Sequence, residues 1–363
     1  MEEREAMNSV QTEDSTDKKC PNCGATVMFD PASGNLHCEY CGYQCELPKA
    51  DDEHVVCEMD FEAALKKESF EWGAEKKSVE CKNCGGVSIY DALETASVCP
   101  FCGSTQVMPA ATEDSIAPGG VCPFAVPKTM AGTFFLKWIS KKFFAPNQAK
   151  RNARPEAFKG VYLPYWTFDA QTTSNFRARA GYDRKVKKGD KTETVTDWRA
   201  VAGIYQKFIN DETVVASKRH GDSCVKSCEP FKLDKVVPYS PELLAGFAAE
   251  RYSIGLQEGW EKAQKTIQWK LKNEVKSYVK RNWHADRADS VKLSTLYTNI
   301  TYKYLLVPVW ISSFKYKDKV YQFVVNGQTG KIGGDAPVSA WKVILTILIS
   351  IGVLVGLVAL LGN

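Results

Sequence analysis

Cysteine spacing constrains this chain more than any other feature. Cys20 and Cys23 are followed, after fourteen residues, by Cys38 and Cys41, and Cys81, Cys84, Cys99 and Cys102 repeat the pattern 61 residues later. Each pair runs into a glycine, as CPNCG, CEYCG, CKNCG and CPFCG. A turn that aims two thiolates at one ion needs a residue free to take positive φ behind the second cysteine, and glycine does so at little steric cost. Four thiolates at about 2.3 Å suit a tetrahedral Zn2+, and a closed set of four leaves no position for a catalytic water. The spacing predicts two structural zinc ions. One is held by Cys20, Cys23, Cys38 and Cys41, the other by Cys81, Cys84, Cys99 and Cys102.

A module of about 25 residues cannot bury enough apolar surface to fold by itself, so metal binding must supply much of its folding free energy. Iron in a rubredoxin-like site would use the same ligands. Ordinary buried cysteines would not repeat spacing and glycine together. Cys45 and Cys57 read as spare thiols. Cys224 and Cys228, with His220 nearby, form a CxxxC that is better read as surface or core thiols than as a third site. His37 precedes Cys38 but faces a ligand set that four cysteines already complete.

Thirteen cysteines, eight of them in CxxC pairs, behind an N-terminus that is polar and charged and lacks an apolar stretch, point to metal ligation in a reducing compartment. The net charge of +4 hides an asymmetry: residues 1–120 hold nine Lys/Arg against 23 Asp/Glu, and residues 121–363 hold 38 against 20. Each loaded four-cysteine site adds a further net charge of about −2. DNA affinity arises from cationic side chains that release counterions from phosphates, so the acidic ribbons argue against nucleic acid and for cytosolic protein partners.

Between the ribbons, DFEAALKKESFEW has helical spacing at Phe61, Ala64, Leu65 and Phe70 and predicts a short linking helix. FFLKWISKKFFAP mixes five large aromatics with Lys137, Lys141 and Lys142, the pattern of an amphipathic helix that either lies in a membrane interface or packs on the adjoining domain. Leu163-Pro164-Tyr165-Trp166 and Val307-Pro308-Val309-Trp310 form an internal repeat that enters strand-like sequence. KVYQFVVNGQTGKI predicts a hairpin turning at Asn326-Gly327, and WRAVAGIYQKFINDETVVAS one turning at Asn210-Asp211. Ser240-Pro241 opens a predicted helix that continues through GWEKAQKTIQWKLKNEVKSYVKR, broken near 253–255.

Residues 343–361 carry no charge, and nineteen residues at 1.5 Å each span about 28 Å, close to a bilayer core. The expectation is a C-terminal transmembrane tail anchor, with Trp341 and Lys342 at its cytoplasmic boundary and an anionic lipid face beside it. Gly352 and Gly356 form a GxxxG, a helix-pairing face for a homodimer.

The paired ribbons, KWISKKFFAPNQ, the LPYW motif, YSPELLAGFAAERY and VNGQTGKI together resemble the bacterial TFIIB-type zinc-ribbon membrane proteins, the YdjG-like family. Its members often carry PriA-like helicase or phage-replication labels. The resemblance implies a zinc-binding membrane protein, sometimes associated with PspA and SPFH membrane-stress proteins, without established catalysis. A helicase motor needs GxxxxGK[ST], and the nearest fragment, Gly327 to Lys331, has the wrong spacing.

The expected fold is α+β: a tail over 1–19, zinc ribbon 1 over 20–45, a linker with a short helix over 46–80, zinc ribbon 2 over 81–103, a linker over 104–130, an α+β domain with two β-rich repeat units and a long helix over 131–340, and a transmembrane helix over 341–361. The expected function is a non-enzymatic, membrane-anchored adaptor at the cell membrane, single-pass with its N-terminal bulk in the cytoplasm. A membrane-held nucleic-acid binder is the alternative reading, and an enzyme of unrecognised type in 131–340 the third.

Overall fold

Three strands of 30, 25 and 30 residues dominate the molecule, far longer than the repeat units that the sequence pattern marks. The computed structural model describes residues 20–47, 56–65, 76–82, 87–91, 99, 107–109, 116–146, 158–188, 191–218, 222–316, 319–334, 336 and 338–361. A small N-terminal sheet holds β1 (Met28–Asp30), β2 (Asn35–His37) and β3 (Gln44–Cys45) in that order. Then come β4 (Met59–Asp60), α1 (Phe61–Leu65), β5 (Lys76–Cys81), β6 (Val87–Asp91), β7 (Val107–Pro109), β8 (Gly120–Val121) and α2 (Lys128–Lys141). The long strands β9 (Lys159–Lys188) and β10 (Lys191–Val215) lead to α3 (Asp222–Cys228), β11 (Val237–Pro238), β12 (Ala248–Glu250) and α4 (Leu256–Asn282). The chain closes with β13 (Arg287–Tyr316), β14 (Lys319–Asn326), β15 (Ile332–Gly334) and α5 (Ala340–Leu361).

The result is a largely β protein whose main sheet curls into a half-barrel, with few helices, and this overturns the α+β expectation. The curl has a local cause. β9 pairs on one edge with β10 and on the other with β13, and both neighbours slip register: between Ile209 and Glu212 on β10, and at 289–292 and 298–301 on β13. At these bulges Asp211, Ser290 and Asn299 take positive φ. An extra residue in one strand bends it and raises its twist. The Asn210-Asp211 signal is therefore a bulge and not a hairpin turn, because short polar side chains tolerate the left-handed conformation in either setting. β10 runs straight through it.

The two repeat motifs lie side by side. Leu163 is opposite Val307 in the antiparallel β9–β13 ladder, and Pro164 is opposite Leu306. Proline in a sheet interior normally costs a ladder bond. Here the outer neighbour leaves at that point: Pro164 O accepts the N–H of Ala216 at 2.9 Å, and Pro308 O accepts that of Gly327 at 2.8 Å. In an antiparallel strand a residue's N–H and C=O face the same side, so the missing N–H falls outside the β9–β13 ladder. Each motif ends on a buried indole that donates to a carbonyl, Trp166 to Ile254 at 2.8 Å and Trp310 to Val126 at 2.7 Å.

α4 fills the hollow of the half-barrel. Trp260, Ala263, Ile267, Leu271, Val275 and Val279 fall on one face and are buried, each large side chain contributing about 1.5–3 kcal/mol of transfer free energy. Gly259 permits the close approach, since a Cβ there would lie 2.8 Å from Trp166 Cδ1. The predicted helix from Ser240 is corrected: Pro241–Leu244 is a 3-10 turn that Gly246, at φ 79, ends before β12. The hairpin at Asn326 forms, with Asn326 Oδ1 accepting the N–H groups of Gln328 and Thr329. The aromatic helix α2 packs on the sheet, Phe135 stacking on Phe323 at 3.9 Å.

α5 starts against the end of α2, where Lys342 Nζ donates to Ala145 O at 2.8 Å. Among the described residues, no helix is long and apolar enough to cross a membrane. The transmembrane tail anchor, and the single-pass cell-membrane location drawn from it, are overturned.

Candidate metal centre

The first cysteine set converges. The Sγ atoms of Cys20, Cys23, Cys38 and Cys41 all lie within 4.8 Å of one another, with Cys20 and Cys41 at 3.4 Å and Cys23 and Cys38 at 3.6 Å. A tetrahedron with metal–sulfur bonds of about 2.3 Å has edges of about 3.8 Å, so the cage fits a Zn2+ ion. Two matching loops build it. Gly24 N–H donates to Cys20 O at 2.8 Å and Gly42 N–H to Cys38 O at 2.9 Å, while Cys20 and Cys38 N–H reach forward to Ala25 and Tyr43 carbonyls. Gly24 and Gly42 sit at φ 73 and φ 74 with open space where a Cβ would project, so backbone conformation alone demands glycine. Asp30 turns the β1–β2 connection by accepting from the N–H groups of Ala32 and Ser33.

Each pair contributes one buried and one exposed thiol: Cys20 and Cys38 are buried, Cys23 and Cys41 exposed. The Cys41 thiol is drawn down to about 7, first by the Tyr43 backbone N–H and then by the Cys20 thiol. At Cys23 the Ala25 N–H pulls the other way, but the surrounding sulfurs and desolvation prevail and push that thiol up to about 12. A cation replaces the protons that the sulfurs otherwise share. His37 stays outside the cage, with Nδ1 buried and without a hydrogen-bond partner among the described residues.

The ribbon is docked, not free-standing. Phe29 N–H donates to Ala245 O at 3.1 Å, and Met28 packs over Gly246, where a Cβ would lie 2.8 Å from Met28 Sδ. Val27, Phe29 and Leu36 join the same buried cluster as Leu243 and Leu244.

Of the second cysteine set, Cys81 ends β5 and is buried, and Cys99 is buried as well. Cys84 and Cys102 lie outside the described residues, so the described residues contain one four-cysteine cluster. β5, which Cys81 ends, joins the main sheet, since β5 pairs with β6, β6 with β12, and β12 with β9. Cys228 is buried and donates to Val225 O at 2.9 Å, and Cys224 is half-buried; His220 lies outside the described residues. Cys45 and Cys57 are exposed.

Sequence spacing gave no sign of a second polar cluster. Asp169, only 3% exposed, accepts the Asp211 N–H through Oδ1 at 2.7 Å. Lys303 reaches Glu58 at 3.2 Å and Asp211 at 2.9 Å, and Thr301 Oγ1 donates to Glu58 Oε2 at 2.7 Å. Burial, reinforced by the bond to Glu58, pushes the Asp169 carboxyl up to about 6. The Asp169 bond, joined by Thr301 and Lys303, holds Glu58 below its ordinary range against its burial. The cluster closes the 56–65 segment onto the bulged sheet, where Met59 pairs with Tyr302 and buried Phe61 meets Phe168 and Trp260.

An uncharacterized protein of Bacillus subtilis (strain 168), YdjG, is 30% identical to this chain over 330 residues, covering 90% of this chain and 91% of the relative. No family model and no solved structure matches the chain.

Proposed function

Since the chain belongs to the YdjG family, we propose that it is a zinc-ribbon adaptor, whose metal-stabilised modules bind protein partners while the half-barrel holds those modules in a fixed orientation. The observation that carries this reading is the closed donor set. Four sulfurs within 4.8 Å of one another complete a zinc shell and leave no coordination position for substrate or water. The metal when bound supplies folding free energy, and the cysteines of the two loops hold it.

Charge narrows the partner class. Residues 20–47 contain three Asp/Glu and no Lys or Arg, which is the wrong balance for neutralising phosphates. Glu39, Tyr40 and Glu46 are exposed around the second loop, a surface suited to a basic protein partner. A second zinc at Cys81, Cys84, Cys99 and Cys102 belongs to the same proposal, supported by the identical spacing and by the burial of Cys81 and Cys99. In this role the chain performs no covalent chemistry.

The test is capture from a cell lysate with the zinc-loaded chain and with a Glu46→Lys variant, followed by reconstitution with each purified partner. A variant that keeps its metal and loses partner affinity about tenfold supports the role. Partner binding indifferent to Glu46→Lys and to zinc removal, or salt-dependent binding of nucleic acid by residues of the ribbon, would overturn it.

A further inference from the structure

Around Arg177 the outer face of the three long strands is exposed among the described residues, while the inner face there packs Phe176 and Ala178 with Val275 and Val279 of α4. Side chains alternate along a strand, and at the level of Arg177 the outward residues line up in rows: Ala202, Arg177 and Lys292, then Ile204, Asn175 and Ser294. They border an open trough of about 530 Å³. Ile204 is 60% exposed, and Leu296, one row further on, 64% exposed. Lys292 stands directly opposite Arg177, and like charges so placed repel. Among the described residues neither makes an ion pair, whereas Arg179 is held by Asp289 and Arg184 by Asp197. Two unneutralised cations beside exposed apolar side chains call for an anionic group that also carries an apolar one.

The chain presents such a group itself. Tyr40, at the tip of the second metal loop, is 85% exposed, more than any other large apolar side chain described, and it sits between exposed Glu39 and the Cys41 ligand. A loaded four-thiolate site adds a net charge of about −2 directly behind it. This knob cannot reach the trough of its own chain. The ribbon docks beside β12, which meets β9 at Tyr162, and Arg177 lies fifteen residues further along that strand, about 50 Å of strand at about 3.3 Å per residue.

We infer that the Glu39-Tyr40 knob of one copy seats in the Arg177/Lys292 trough of a second copy. The inference rests on the reading of the ribbon as a protein-binding module and adds the identity of one partner. Knob and trough are different surfaces, so the contact is heterologous and builds open chains or rings in place of a closed two-fold dimer.

Sedimentation velocity of the full zinc-loaded chain tests it, across a hundredfold range of concentration at low and at high salt. The expected result is a progression of sizes that grows with concentration and collapses when the Debye length falls from about 10 Å to about 3 Å. Arg177→Glu and Glu39→Lys should each weaken association about tenfold, and the double variant should recover it, because the exchanged charges attract again. Both positions are exposed, and zinc content checks that the ribbon remains folded. A monomer at every concentration, association unchanged by Arg177→Glu, or no recovery in the double variant would overturn the inference. If Arg177→Glu instead abolishes binding to anionic vesicles or to a DNA duplex while self-association is absent, the trough serves another anion and the inference also fails. Partners captured through Glu46 in the absence of self-association would leave the adaptor reading standing and remove only the second-copy assignment.

Discussion

Asp169→Asn should change how stability depends on pH. In the folded protein the Asp169 carboxyl keeps its proton to about pH 6, because it is buried and bonded to Glu58, where the ordinary value is 3.8. Between those values the folded state binds more protons than the unfolded chain, so stability falls as pH rises through this window. The gap corresponds to about 3 kcal/mol at about 1.36 kcal/mol per pKa unit. Glu58 opposes it: the same bond holds Glu58 low, which contributes stability above the unfolded carboxyl value that is lost on acidification. The net expectation is about 1–2 kcal/mol. Asparagine can accept the Asp211 N–H through Oδ1 and donate to Glu58 through Nδ2, reproducing the protonated geometry at every pH. Urea unfolding of both proteins at constant zinc, in steps from about pH 4.5 to about pH 8, reads the effect. The variant should gain on the native protein by about 1–2 kcal/mol across that range. A difference between them that stays constant with pH would refute the shared-proton reasoning.

Elemental analysis of protein purified without chelator should give two zinc ions per chain, and Cys38→Ser should remove one of them. Gly42→Ala should cost about 1–2 kcal/mol of backbone strain, because φ 74 excludes a side chain even though space is free; competition with a chromophoric chelator would read this as roughly tenfold weaker zinc binding. Trp166→Phe strands the buried Ile254 carbonyl and should lower unfolding stability by about 1–3 kcal/mol. Ile267→Ala, on the buried face of α4, should cost about 2–5 kcal/mol by the same denaturation assay.

The metal loops were legible because their chemistry is local: a cysteine pair and a glycine fix a turn within five residues, and Gly24 and Gly42 take the positive φ that the pattern demands. The long helix was legible from Leu256 onward, where one face is apolar. The half-barrel was not. Its strands alternate buried Phe176, Ala178 and Ala180 with exposed Arg177 and Arg179, but the pairing of β9 with β13 joins residues far apart in sequence, which no local period reports. The Asn210-Asp211 bulge shows the same limit, since a residue tolerant of positive φ signals a bend without saying whether the chain reverses. The Asp169 cluster gathers Glu58, Asp211 and Lys303 from three distant segments. The apolar composition at 343–361 spoke for a membrane span, yet among the described residues no helix meets the length and apolarity required.

The side-by-side placement of the two Pro-Trp motifs has a consequence for synthesis. β9 and β10 form their ladder within residues 165–215, soon after both leave the ribosome. The other edge of β9 must wait for β13, whose Val307 meets Leu163, 144 residues later in the chain. At about 5–20 residues per second that delay is roughly 7–30 s. Throughout it a long strand shows unpaired backbone groups and the bare aromatic faces that α4 will cover, a template for pairing with another nascent chain. Contacts of such sequence separation slow folding, so premature termination between β10 and β13 should yield aggregating fragments that engage chaperones, while truncation before Lys159 should not.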